Sequence, residues 1–263
     1  MKRIKKYFKV WLVFGISSFQ SQLNLRWTLV IFLIGKIFRF SMFTIFIVIL
    51  LTKTEVFAGY NLNQTILFYL TFNLVDVISQ LVFREVYRFR QAVVSGTFDF
   101  YLIKPYNPLF RALTSGPDLI DFITLIPLIA AIVYFISMIE SITFVGIILY
   151  LLLIIAGLVI ATALHILVLS LAIVTTEIDS AILMYRDVVG MGRFPIDIYK
   201  EPIRGFMTFV IPVGIMMTFP VKALMGLLNT LNIIYALFFA GILFYISLII
   251  WNASIKNYSS ASS

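Results

Sequence analysis

The chain has 263 residues, of which 62% are hydrophobic and 12% charged, and its formal net charge is +8. Soluble domains carry about 25% charged residues, so this composition excludes a soluble protein and predicts an all-α integral membrane protein. The absence of cysteine and the single histidine exclude disulfides, thiolate chemistry and a histidine-rich metal site.

The chain begins with a basic and apolar segment. Residues 4–19 interleave lysines with apolar residues, a pattern typical of an amphipathic helix in the membrane interface. We expect the basic start, MKRIKK, to be retained, because no small-residue cleavage site follows it.

Six apolar segments follow, each near the roughly 20 residues that a helix needs to cross the hydrocarbon core. The predicted spans are 28–51, 60–82, 118–138, 142–174, 205–222 and 230–252. Their lengths favour helices over barrel strands, which have about ten residues. The fourth span would extend about 50 Å, so it must tilt or project beyond the membrane. Residues 1–263 are predicted to form a single transmembrane domain, with bends at Pro127 and Pro212.

Basic residues set the predicted orientation, because Lys and Arg gather on the cytoplasmic side of membrane proteins. Sixteen of the 20 Lys and Arg residues lie before span one, after span six, or in the loops after spans two and four. Lys53 and Lys222 lie on the other side, and Lys36 and Arg39 lie within span one. We therefore expect a multi-pass plasma-membrane protein with both termini in the cytoplasm.

The loop after span two is the most charged stretch in the middle of the chain. Placed on a helix, residues 82–94 form one apolar stripe and one basic stripe. The apolar stripe contains Val82, Val86, Phe89 and Val93, and the basic stripe contains Arg84, Arg88 and Gln91. Two interpretations remain open. The segment is either a surface helix whose arginines meet anionic lipid head groups, or a docking helix for a soluble partner.

Span two also carries a polar face at helical spacing. Its members are Thr65, Tyr69, Asn73, Asp76 and Gln80. This face is either the wall of a translocation path or dimer seam, or a set of internal hydrogen bonds to another span.

Lys36, Arg39 and His165 also lie within predicted spans, where burial of charge costs about 2.5–3.5 kcal/mol by insertion scales. Lys36 and Arg39 share a helix face. They either pair with Asp76 or extend towards the cytoplasmic interface. His165 is alone in span four, and we interpret it as hydrogen-bonded to a neighbouring helix rather than as a proton relay.

Three stretches resemble the permease subunits of the ABC transporter type 2 family, in its branch of small six-span exporters. They are SGTFDFYLIKPYNPLFRAL, then GRFPIDIYKEPIRGFMTFVIPVGIMMTFPVKALMG, and the basic start that leads into LNLRW. The second stretch carries the likeness best, through Arg193, Phe194, Pro195, Asp197, Tyr199, Pro212, Phe219 and Pro220. The likeness covers most of the chain.

The resemblance implies a half-transporter of bacterial or archaeal type. Two permeases, identical or related, would form the pore, and separate ATPase subunits would bind ATP and Mg²⁺. Residues 83–111 would be the cytoplasmic coupling segment. The residues implied to contact the ATPase are Arg84, Glu85, Arg88, Arg90 and Gln91. The phosphate-binding pattern G-x-x-x-x-G-K-[ST] does not occur in the sequence, so we expect another chain to hydrolyse ATP and this chain to bind no cofactor.

The sequence thus predicts a permease subunit of an ATP-driven exporter that works by alternating access, with no catalytic residue, no metal and no nucleic-acid partner. The alternative is an ion-coupled secondary transporter that uses Asp76, Lys36, Arg39 and His165, although such proteins usually have more spans and internal repeats. A membrane enzyme is the third possibility, but a reactive cluster is lacking. Asp118 and Asp121 are more simply acids that favour a helix N-terminus.

Overall fold

The computed structural model describes residues 2–54, 56–140, 142–175 and 178–258, and the regular elements within these ranges are all helices. The predicted all-α fold is confirmed. Among the described residues, five helices are long and apolar enough to cross a membrane, and a bent pair of shorter helices would make a sixth if it formed one span. The five are α2 (Arg26–Thr54), α3 (Leu62–Phe83), α7 (Leu119–Ser137), α8 (Phe144–Val174) and α12 (Thr230–Lys256).

Residues 4–19 are helical, as predicted, and form most of α1 (Lys2–Leu23). It packs along the chain that returns to α7. The side chains of Ser18 and Gln22 both donate hydrogen bonds to the Pro117 carbonyl, at 2.9 and 3.1 Å. Gln22 Oε1 also accepts from the Leu119 amide at 2.9 Å. Thus α1 is fixed to the start of α7 by directed hydrogen bonds.

The helix α8 is long enough to join two separate hydrophobic cores. At about 1.5 Å per residue it extends about 46 Å. The first core contains residues of α3, α8 and the bent pair. The second core contains Ile166, Leu169 and Ala172 of α8, together with the segment after α3 and Trp251 of α12. We call this end of the bundle the basic end. It holds α1, residues 84–113 and the end of α12. Hence α8 projects beyond the membrane core at the basic end.

A two-residue turn between α2 and α3 marks the opposite end of the bundle. Ala58 and Gly59 have φ of 55° and 85°, and Phe57 and Tyr60 bond to each other across the turn. Positive φ at both central positions is the geometry that closes such two-residue turns. Asn61 then caps α3 by accepting from the Gln64 amide. This turn places Tyr60 at the opposite end.

The chain crosses the bundle again between residues 178 and 199. The helix α9 (Ile178–Gly190) begins at the basic end, where Ile182 is part of the second core. Val189 belongs to the first core. Asp197 then accepts a hydrogen bond of 2.9 Å from Tyr60 at the opposite end. Because α8 ends at the basic end, these contacts make residues 178–199 the fifth crossing.

The bent pair consists of residues Ile203–Val210 and Gly214–Leu224, which meet at 81°. The first part contains α10 (Ile203–Gly205) and a π-helical turn, and the second contains another π-helical turn and α11 (Phe219–Leu224). Contacts with two glycines of α8 show how far the bent pair extends into the bundle. A Cβ at Gly157 would lie 3.0 Å from the Met216 carbonyl oxygen, and one at Gly146 would lie 2.6 Å from that of Leu224. The pair therefore reaches the middle of α8 and returns to the opposite end.

This arrangement differs from the predicted topology. The predicted span 205–222 bends at Pro212 as expected, but the bend is so sharp that the segment forms a bent pair within one half of the bundle. The predicted cytoplasmic loop after span four contains the fifth crossing, so Lys200 and Arg204 lie towards the opposite end. The physical reason is burial. The second part of the bent pair is apolar because protein buries it, whereas residues 178–199 cross the bundle despite the charges of Arg186, Asp187 and Arg193.

Candidate functional site

The segment after α3 is continuous with that helix and folds against the basic end. A 3₁₀ turn, Arg84–Arg88, leads into α4 (Phe89–Val94), so the predicted single helix is two short elements. The predicted apolar stripe is nevertheless the buried one. Val86 and Phe89 are each 1% exposed and Val93 is 7% exposed.

Aromatic packing fixes this segment to the last helix. Phe89 and Phe98 lie 6.3 and 6.4 Å from the Trp251 ring of α12. The Tyr258 hydroxyl donates to Asp99 of α5 (Asp99–Leu102) at 3.0 Å. The segment therefore continues α3 and packs on α12.

The predicted coupling residues divide into two groups. Arg84 Nε lies 3.4 Å from Asp118 Oδ2, and Asp118 caps α7 by accepting from Ile120. Glu85 is half-buried, and its carboxylate would meet a Cβ at Gly116 at 2.8 Å. These two side chains thus face the chain's own fold. The exposed group contains Arg88, Arg90 and Gln91.

Arg111, in α6 (Pro108–Thr114), ties the segment to α1. Its guanidinium lies 4.0 Å from the Tyr101 ring centroid and 5.7 Å from that of Phe14. It also donates to the Tyr106 hydroxyl at 2.5 Å. This contact joins α1, α5 and α6 around one cation.

The polar face of α3 is largely buried, and its side chains bond within α3 or to its capping residue. Thr65 Oγ1 donates to the Asn61 carbonyl at 2.9 Å. Asn73 Nδ2 donates to the Tyr69 carbonyl at 2.7 Å. Gln80 Nε2 donates to Asp76 Oδ2 at 2.8 Å. These bonds are local, so they are not the hydrogen bonds to another span that one alternative predicted, and the path wall or dimer seam stays a prediction.

Of the two alternatives for Lys36, the pairing with Asp76 does not form. Lys36 donates instead to Asp121 in the first turn of α7, and both side chains are largely buried. Asp121 lies at the same level as Lys36, because both are near the basic end. Arg39 is exposed and lies over the Phe40 ring at 5.3 Å.

His165 does not bond to a neighbouring helix as predicted. Its Nδ1 lies 2.7 Å from the Ala161 carbonyl of its own helix. The rings of Phe83 and Tyr185 pack at 4.9 and 5.0 Å. His165, Asp76 and Lys36 thus have different partners, and they do not form one ion site.

Three distant parts of the chain meet at Asp197. Lys222 Nζ donates to Asp197 Oδ1 at 3.0 Å, and the Tyr60 hydroxyl donates to Oδ2 at 2.9 Å. Burial, together with the charge of Asp197, raises the pKa of Tyr60, so the phenol stays protonated and donates. Phe194 packs against Phe57 at 5.3 Å.

The rest of the predicted family-like motif shapes the bent pair. The Ile196 amide, just after Pro195, donates to Thr218 Oγ1 at 3.1 Å. The Tyr199 hydroxyl donates to the Met191 carbonyl at 3.0 Å. Pro212 lies in the bend, and Phe219 and Pro220 are buried where α11 begins. Arg193 has a separate position beside the rings of Phe43 and Phe72.

A family model described as ABC-2 family transporter protein matches residues 36–262. The chain belongs to this family. The resemblance predicted from the sequence is confirmed, and the match covers the coupling segment and the bent pair. No curated protein and no solved structure matches the chain.

As an ABC-2 family protein, the chain is a permease subunit of an ABC transporter. Permeases of this family are membrane subunits and generally are not themselves the ATPase. Among the described residues, no group of three or more His, Asp or Glu residues could hold a metal ion. Two features of the ABC-2 permease bear on its function. They are the predicted coupling segment at the basic end and the charged side chains within the bundle.

Sequence reasoning missed three contacts between residues of this ABC-2 permease that are far apart in the sequence. They are Lys36–Asp121, the Asp197 cluster with Tyr60 and Lys222, and a buried 3.0 Å hydrogen bond between Thr71 and Tyr150. Each joins residues that are at least 25 positions apart. Helical periodicity describes one helix at a time, so it gives no signal for such pairs.

Proposed function

We propose that this ABC-2 permease is the membrane subunit of an ATP-driven exporter, and that a separate ATPase docks on the coupling segment at the basic end. The carrying observation is the continuity of α3 with residues 84–94, which extend it as one helical stretch to Val94. Their apolar side is buried against α8 and α12, while Arg88 and Gln91 are exposed. The sequence resemblance favours export as the direction.

The geometry supports a mechanical role for this segment. Phe89 and Phe98 pack on α12, and the 3₁₀ turn continues α3 without an intervening loop. A force on the exposed side would therefore reach two membrane helices directly. ATP binding in the partner would close the ATPase dimer, move both coupling segments and open the paired permeases by alternating access.

Charge supports a cytoplasmic basic end. Four of the sixteen Lys and Arg residues predicted to be cytoplasmic lie between 186 and 204, in or after the fifth crossing. The other twelve lie at the basic end. They still outnumber those at the opposite end, which include Lys53 and Lys222. By the positive-inside rule, the basic end and both termini lie in the cytoplasm of a bacterial or archaeal cell.

The test is co-purification of the tagged chain from gently solubilised native membranes, with subunits identified by mass spectrometry. We expect a separate ATP-binding protein to accompany the wild type. Arg88→Glu/Gln91→Glu should reduce that protein at least about tenfold, because charge reversal at a docking surface costs several kcal/mol. Both side chains are exposed, so the fold should be retained. A second permease in the sample would identify the pairing.

The matched control is Lys53→Glu, an exposed charge reversal at the opposite end. It should leave the amount of co-purified ATPase unchanged. Recovery of the wild type without any ATPase, under conditions that preserve other membrane complexes, would contradict the proposal. The predicted ion-coupled transporter is not favoured, because Lys36, Asp76 and His165 have separate hydrogen-bond partners.

A further inference from the structure

Two guanidinium groups of the permease are exposed between the two ends of the bundle. Arg39 of α2 and Arg193, after α9, are both exposed. Phe43 lies one helical turn after Arg39 on α2, and the Arg193 guanidinium is 5.9 Å from the Phe43 ring. The two cations therefore approach the face shared by α2, α3 and the fifth crossing.

Packing gives the depth of Arg193. The helix α7 extends about 28 Å, close to the thickness of the hydrocarbon core, so its first turn and Lys36 mark one edge of that core. Phe43 lies about 10 Å beyond Lys36, and Phe72 lies about 15 Å from the other end of α3. The Arg193 guanidinium is 5.9 Å from both rings. Arg193 is thus near the middle of the bilayer.

An exposed arginine at this depth cannot face lipid without a large cost. Ionisable side chains in membrane helices face a bundle interior or a water-filled cavity. The face with Arg39 and Arg193 must therefore border a polar space. In an exporter built from two permeases, that space is the path between them.

The charge of this face is positive. Arg39 and Arg193 are basic, and Asp76 is the one acid among the five residues of the polar face of α3. Asp76 already accepts a hydrogen bond from Gln80. Guanidinium groups present forked donors that match carboxylate and phosphate oxygens.

An aromatic wall adjoins the two guanidiniums. Phe43 stacks on Tyr69 at 4.5 Å and lies 5.3 Å from Phe194. Phe46 lies 6.4 Å from Phe194 and is itself half exposed. A ligand that reached the cations would also contact these rings.

We infer that Arg39 and Arg193 bind the head group of an amphiphilic anion, a carboxylate or phosphate with an apolar body, that the permease transports. Transport of this anion rests on the proposed exporter function, whereas its binding depends only on residues of this chain. The guanidiniums would hold the anionic head, and the phenylalanine wall would hold the apolar body.

The test measures ligand-induced shifts in Tm of the purified full chain in a nonionic detergent. Dodecyl phosphate is the probe, dodecyltrimethylammonium has the same tail with the opposite charge, and inorganic phosphate lacks the tail. We expect dodecyl phosphate alone to raise the Tm. Arg39→Gln and Arg193→Gln should each weaken its apparent Kd about tenfold, because each removes charge-assisted hydrogen bonds. Arg204→Gln, at an exposed arginine outside the site, should bind like the wild type.

Arg39→Lys and Arg193→Lys test the site if a Gln variant does not fold, because they keep the charge and should keep most of the binding. Equal stabilisation by dodecyltrimethylammonium, or unchanged dodecyl phosphate binding in the double Gln variant, would overturn the inference. Equal stabilisation by inorganic phosphate would contradict the requirement for an apolar body in the ligand. The assay contains no ATPase. If no ATPase co-purifies but the anion still binds, only the exporter function is contradicted. If the ATPase co-purifies but the anion does not bind, only the anion site is contradicted.

Discussion

Asp197 illustrates how single residues hold the opposite end together. Its two carboxylate oxygens accept from Lys222 of α11 and from Tyr60 of the α2–α3 turn. The Asp197 and Lys222 side chains are each 21% exposed, so solvent screens their interaction only in part. The cluster therefore fastens the bent pair to the first turn of the bundle.

Asp197→Asn should destabilise the protein, since both donors lose a charged acceptor. Hydrogen bonds to charged groups contribute about 1.5–3 kcal/mol, so we expect a loss of about 2 kcal/mol and a lower Tm by intrinsic fluorescence. Tyr60→Phe removes one of the two donors and should have a smaller effect. Glu201→Gln is the control, because Glu201 pairs with Arg204 on the exposed surface. An equal loss in that control would refute the role of Asp197.

Individual residues were predictable where one helix determined their position. The stripe with Val86, Phe89 and Val93 is buried as its spacing predicted. The partner of Lys36 was not predictable, because α2 and α7 are separated by 85 positions between the paired residues. Periodicity assigns a face to a residue, and the packing of helices decides what that face contacts.

At the scale of elements, the bent pair packs on α8 through glycine. The second part of the pair approaches α8 along its first half, from Gly146 to Gly157. Small residues permit helices in membranes to come this close. The Gly157 and Ala161 positions of α8 are both buried, as close packing requires.

Gly146→Ala should lower the Tm. Its Cβ would lie 2.6 Å from the backbone oxygen of Leu224, and overpacking of this kind costs about 1–3 kcal/mol. That cost exceeds the roughly 1 kcal/mol that alanine gains over glycine in a helix. Gly241→Ala in α12 is the control, since its Cβ would meet no atom within 4 Å. A higher Tm for Gly146→Ala than for Gly241→Ala would show that the approach is looser than described.

The elements themselves were largely predictable from the sequence. Five of the predicted spans correspond to α2, α3, α7, α8 and α12, with boundaries that differ by a few residues. The fifth crossing was not predictable from hydropathy, because residues 178–199 carry charges within the bundle. The apolar residues 205–222 were taken for a span since protein and lipid both favour apolar side chains.

At the scale of the whole molecule, the topology has a direct test, because the chain contains no cysteine. Single variants Lys53→Cys, Thr97→Cys and Lys200→Cys place one thiol at each of three exposed positions. A membrane-impermeant maleimide is added to intact cells and, separately, to permeabilised cells. We expect Lys53→Cys and Lys200→Cys to react in intact cells, and Thr97→Cys to react only after permeabilisation.

The comparison of maleimide labelling at positions 200 and 53 decides between two topologies. If residues 178–199 cross the membrane, both thiols lie on the outer side, as the contact of Asp197 with Tyr60 requires. If residues 205–222 were instead a complete span, Lys200→Cys would react like Thr97→Cys. That outcome would mean that the bent pair crosses the bilayer. It would also place Arg193 near the cytoplasmic surface, where an exposed guanidinium needs no polar path. The same three thiols therefore test the fold and the depth on which the anion site depends.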